Sequence, residues 1–126
     1  MVFAAVKGCK FSITPPVMAV EGVTTIQVIT PESQNVKING KGIYSGNIQV
    51  TVTNAMLGSL KQNEPATITI SPDKVKYNKV DHKLCLGVGD KGQTVSPVTF
   101  SAGQTTSSQT IEITITDAGQ DKIKVE

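Results

Sequence analysis

The most constraining feature of the chain is a two-residue alternation of β-branched apolar and polar side chains. It recurs in five places. Thr24 to Thr30 reads TTIQVIT and Asn47 to Thr53 reads NIQVTVT. Thr67 to Ser71 alternates Thr with Ile, and Gln109 to Thr116 sets Ile111, Ile113 and Ile115 against Thr110, Glu112, Thr114 and Thr116. Lys122 to Val125 repeats the pattern in short form. Successive strand side chains point to opposite faces, so each run has one apolar and one polar side. Branched Cβ atoms restrict χ1 and pack well on a pleated surface. The pattern predicts antiparallel sheets, each with one solvated face.

Turn chemistry separates the runs. Pro15-Pro16, Glu21-Gly22, Pro31-Glu32-Ser33, Asn39-Gly40, Ser45-Gly46, Asp90-Lys91-Gly92 and Ala118-Gly119 all punctuate the chain. Asn39-Gly40 is a strong type I′ hairpin signal, because both residues tolerate positive φ. One segment, Asn54 to Asn63, has a potential Asn cap and predicts either a short helical turn or an extended apolar loop. Phe100 to Gln109 (FSAGQTTSSQ) is small and polar and predicts a flexible loop or arm at 100–109. The expectation is one β-rich domain over 1–126, all-β with short antiparallel strands and hairpins. Sandwich, partial barrel and cone are the open architectures.

Composition narrows the function. All twelve cationic side chains are Lys, and the formal charge is only +2. Without Arg the chain lacks the bidentate fork that reads phosphates and base edges. With three Phe, two Tyr and no Trp it has few rings on which bases could stack, so nucleic acid is not an expected partner. The start MVFAAVKGCK lacks the apolar core of a secretion signal, and no run is long enough to span a bilayer. Synthesis in a reducing cytoplasm is expected, with Cys9 and Cys85 as reduced, largely buried thiols.

Candidate chemistry is sparse. His82 and Cys85 stand three apart in DHKLC, and both are proper zinc ligands. Cys9 is the third candidate, and Asp81, Asp90 or water the fourth. Residues three apart on a strand face opposite ways, so sharing a metal needs an intervening turn. The favoured alternative is an exposed His82 and a core Cys85. A Cys–His nucleophilic pair would need a third group to orient the ring, and adjacent Asp81 is badly placed for it; the chain is expected not to be an enzyme. Gly87 to Gly92 is glycine-rich, but no helix follows to cradle a phosphate. Asp117 and Asp121 are too few to form a calcium site. The apolar segment Met1 to Val20 and the group Ala55-Met56-Leu57 with Leu60 read as core or as surface docked on a partner.

One phrase is written twice. Val36-Lys37-Ile38-Asn39 aligns with Val75-Lys76-Tyr77-Asn78, and apolar strands follow near Ile48-Gln49-Val50 and at Leu84-Cys85-Leu86-Gly87-Val88. Each copy predicts a hairpin, marginal alone, so two hairpin repeats over 35–92 must pack on each other. VKINGKGIYSG and VKYNKVDHKLCLGVGDKG resemble the units of the PAAR-repeat spike-tip proteins, over less than half of the chain. The resemblance rests on the Val-Lys-Ile-Asn-Gly-Lys half of the first phrase and on Leu86 to Asp90 of the second. It implies a compact β-cone, made in the bacterial cytoplasm without a signal peptide and built into an assembled particle. The cone caps the homotrimeric spike of a contractile injection apparatus, such as a type VI secretion system or a phage-tail-like particle. It also implies an effector as a possible second partner, a membrane only as the pierced target, and an apical zinc held by three His and one Cys. This chain has one His, which departs from that set. The residues expected to support fold and docking are Val36, Ile38, Asn39, Gly40, Val75, Tyr77 and Asn78. A free-standing β-sandwich binding or adhesion module is the alternative, and the scarcity of aromatics argues against a sugar-binding one.

Overall fold

The computed structural model describes residues 1–14 and 25–126. Among these residues the regular structure is β throughout. The expected turns at Pro15-Pro16 and Glu21-Gly22, and the start of the run at Thr24, lie outside the described residues.

Four of the alternating runs lie in two three-stranded sheets. In one, β3 (Thr25–Val28), β6 (Ile48–Thr53) and β9 (Ala66–Ile70) pair antiparallel, with Val50 opposite both Val28 and Ile68. In the other, β12 (Lys91–Gln93), β15 (Glu112–Asp117) and β2 (Lys10–Thr14) pair antiparallel, with Ile113 opposite Ile13 and Gly92. Period two decides what is buried. Ile48, Val50 and Val52 have no exposure and neither do Ile111, Ile113 and Ile115, while Thr67 and Thr69 face solvent. The apolar faces of both sheets share one core, closed by Ala5, Tyr44, Leu86 and Phe100. The sheets meet where β12 lies beside β9. A Cβ on Gly92 would collide with the Thr69 carbonyl, so only glycine permits that approach.

The segment weighed as a helix or loop is a hairpin. β7 (Met56–Leu57) and β8 (Leu60–Gln62) turn at Gly58, which has φ +62°. Buried Gln62 holds it: its Oε1 accepts from Ala55 N at 3.1 Å, and its Nε2 donates to Val52 O at 2.9 Å and Glu64 O at 2.6 Å. The expected loop at 100–109 is also a hairpin, which corrects that expectation. β13 (Val98–Ala102) pairs along its length with β14 (Thr105–Gln109), and β13 also pairs with β8. Gly103, at φ +62°, makes the turn. Most of β14 is exposed, so its Ser and Thr side chains carry no alternation to announce a strand.

Three two-residue ladders complete the described structure. They are β4 (Lys37–Ile38) with β5 (Lys41–Gly42), β10 (Lys79–Val80) with β11 (Lys83–Leu84), and β1 (Val2–Phe3) with β16 (Lys124–Val125). They surround a second core of Ala4, Val6, Ile38, Ile43, Val75, Val80, Cys85 and Val125. The described strands thus form small antiparallel sheets rather than two large stacked ones.

Candidate functional site

Three short segments follow the ladder strands β1, β5 and β11: Ala4-Ala5-Val6, Ile43-Tyr44-Ser45 and Cys85-Leu86-Gly87. They hydrogen-bond to one another in a closed cycle. Tyr44 N donates to Ala5 O at 3.0 Å, Ala5 N to Leu86 O at 2.8 Å, and Leu86 N to Tyr44 O at 3.1 Å. The flanking residues bridge in the same order, Ala4 with Gly87, Val6 with Ile43 and Ser45 with Cys85. A second set repeats the cycle. Lys7 N donates to Gly42 O at 3.0 Å, Gly46 N to Leu84 O at 2.8 Å, and Val88 N to Phe3 O at 3.2 Å. In a third set Ala4, Ile43 and Cys85 donate to the carbonyls of Ile123, Val36 and Asn78, at 3.2, 3.1 and 3.0 Å. The first two sets run from unit to unit and close after three steps, and the third recurs once inside each unit. The chain therefore carries an internal threefold repeat.

The strands obey the same rule. β16–β1, β4–β5 and β10–β11 are equivalent ladders, and Lys124, Lys37 and Lys79 sit opposite Phe3, Gly42 and Leu84. The next residue along, Val125, Ile38 or Val80, is buried in each case. Two copies close through left-handed turns: Asn39-Gly40 at φ +53° and +79°, and Asp81-His82 at +54° and +67°. In the third copy Glu126 and Met1 occupy the turn positions, since Val125 pairs with Val2.

The structural repeat does not follow the phrase that is written twice in the sequence. Lys37-Ile38-Asn39-Gly40-Lys41 is equivalent to Lys79-Val80-Asp81-His82-Lys83 and not to the stretch starting at Lys76. Val36 matches Asn78 and Ile123, while Val75 matches Ser33 and Gln120. Val-Lys-x-Asn recurs by composition, whereas the fold counts from the turn. The third copy was invisible because it is divided between positions 124–126 and 1–6. A Lys, one buried aliphatic, two turn residues and then Lys is the signal that finds the correct pairing.

The expected docking residues split by burial. Ile38 and Val75 are core, and Val36 and Tyr77 are 40% and 79% exposed. Asn78 Oδ1 accepts from Glu126 N at 2.6 Å, and Glu126 O in turn accepts from Tyr77 N and Asn78 N. At the neighbouring junction Asn35 Nδ2 donates to Asp81 Oδ1 at 3.0 Å. That bond, with one from Ser33, holds the Asp81 carboxyl below its ordinary value.

The candidate zinc ligands occupy different surroundings. His82 is exposed on a turn, Cys85 is in the second core, and Cys9 is half-buried against the first. Burial pushes the Cys9 thiol up to about 11 and raises Cys85 as well, so both favour the protonated form, which is a poor ligand. Among the described residues no three His, Cys, Asp or Glu side chains gather in a group able to hold a metal ion. The Asp117 carboxylate caps Gly119 N at 2.8 Å. Asp90, fully buried, accepts from Asp73 N, Lys74 N and Gly87 N at 2.9, 2.8 and 2.9 Å, which ties the third repeat unit together. No protein-family model matches the chain, and no curated protein or solved structure is detectably similar to it.

Proposed function

We propose that this chain is a PAAR-like cap, seated as a single copy on the end of a homotrimeric spike in a contractile injection apparatus. One observation carries the reading: the closed cycle through Ala5, Tyr44 and Leu86. A lone subunit on a threefold axis meets three identical surfaces at once. It satisfies all three only if it presents the same chemistry three times, and an internal threefold repeat does that.

The ladder end is the docking end in this proposal. Among the described residues Met1, Val36, Tyr77 and Ile123, four of the six exposed large apolar side chains, flank the ladders, and Ile29 and Val95 are the other two. The opposite connections differ from one another in length and pairing, as β7–β8 and β13–β14 show, so that end departs from the repeat. The role is mechanical rather than enzymatic: the cap closes the spike and leads it through the target envelope. The proposal includes an apex organised by backbone hydrogen bonds without the zinc of the family pattern, because the His82, Cys85 and Cys9 side chains are not gathered.

Affinity capture of the tagged chain from its host, with quantified stoichiometry, tests the reading. A β-helical homotrimer is expected at three protomers per copy of this chain. A clean monomer that binds no trimer would overturn it in favour of the free-standing binding module. Elemental analysis of the purified protein tests the metal-free apex, and stoichiometric zinc in the parent chain would refute that part.

A further inference from the structure

We infer that Lys37, Lys79 and Lys124 form a threefold ring of ammonium groups that receives one carboxylate from each protomer of the homotrimer. The inference rests on the docking reading above and names the partner's chemistry.

The three lysines come from distant parts of the chain and occupy one structural position. Each is exposed and precedes a buried aliphatic residue, so strand alternation turns it away from the second core. Their cross-strand partners are Gly42, Leu84 and Phe3, of which only Phe3 offers a ring to the cation opposite. Among the described residues the ion pairs are Lys7–Glu32, Lys74–Asp73 and Lys76–Asp73, and none involves this ring. Lys124 Nζ lies 5.0 Å from the centre of the Phe3 ring, a contact that leaves its charge uncompensated. Lys41 and Lys83 stand at a second pair of equivalent exposed positions and add to the positive field, and the Asp81 carboxylate, which accepts from Asn35 and lies in the field of Lys83, offsets part of it.

A partner that answers three positive charges in threefold array carries three negative ones. One Asp or Glu per protomer of a trimer supplies that. An anionic bilayer also attracts lysines but has no threefold order to match.

The test titrates the purified chain against the purified spike trimer that accompanies it, at several salt concentrations. Exposed ion pairs are each worth up to about a five-fold change in affinity. Replacing all three lysines by Gln (K37Q, K79Q, K124Q) is expected to weaken the complex roughly 10- to 100-fold and to flatten its salt dependence. Each single variant loses part of that affinity. A control triple elsewhere (K10Q, K61Q, K91Q) binds as the parent does. Circular dichroism and melting confirm that each variant is folded. An unchanged affinity and salt slope for the ring triple overturns the inference while leaving the docking reading intact. So does loss of binding only to phosphatidylserine-containing vesicles. A parent chain that forms no one-to-three complex with the trimer overturns both.

Discussion

At the residue scale, left-handed backbone separates what sequence chemistry announces from what it tolerates. Asn39-Gly40 declares its turn in advance, and the structure places both residues at positive φ. Asp81-His82 makes the equivalent turn without glycine, and a histidine at φ +67° is strained by its Cβ. His82→Gly is expected to stabilise the protein by about 1 kcal/mol, and Gly40→Val to destabilise it by at least as much, read by denaturant unfolding. Gln62 and Asp90 gave no sequence signal, because their value lies in distant backbone groups. Gln62→Ala would orphan Ala55 N and two carbonyls at a cost of about 2–3 kcal/mol. Titration reports on the first core. Cys9 is raised from 9.0 to about 11 and Tyr44 from 10.0 to about 12, both chiefly by burial. A raised folded value means the unfolded chain loses its proton first. The contribution is whole below pH 9 and is lost as pH rises from 9 to 12. Unfolding curves at pH 8, 10 and 11 should show that loss, and Cys9→Ala should remove the part below pH 11.

At the scale of the element, legibility followed the contrast between faces. Ile48 to Thr53 and Glu112 to Asp117 have one dry face and one wetter face, and their sequences give period two. Thr105 to Gln109 is wet on most positions, and a strand with no dry face looks like a loop in composition. Met56 to Gln62 is too short to establish a period. Among the candidate site residues, burial of Cys85 was legible from Leu84 and Leu86, but the turn that carries His82 was not, since Asp-His is a rare choice there. The paired hairpins of β13 with β14 and β7 with β8 depend on one another through β8 and β13. Phe100→Ala, at a fully buried site opposite Gln62, is expected to cost about 3–5 kcal/mol. It should also raise amide exchange in Met56 to Gln62, which hydrogen-exchange mass spectrometry reads directly.

At the scale of the whole molecule, the third repeat unit is assembled from residues far apart in the chain, as Val2 opposite Val125 and Phe3 opposite Lys124 show. A circular permutant tests this. Asn-Gly replaces Glu126 and Met1 to close the third turn, and the chain is opened between Asn39 and Gly40. The permutant is expected to melt within a few degrees of the parent and to keep its far-ultraviolet spectrum; an unfolded product would argue against equivalence of the three ladders. The cycle of Ala5, Tyr44 and Leu86 has a further consequence under load. A hairpin pulled at one end peels, and its bonds part in succession. In a closed triangle each segment is clasped by both neighbours, so there is no free edge at which peeling starts. A load on one segment is therefore shared with the other two.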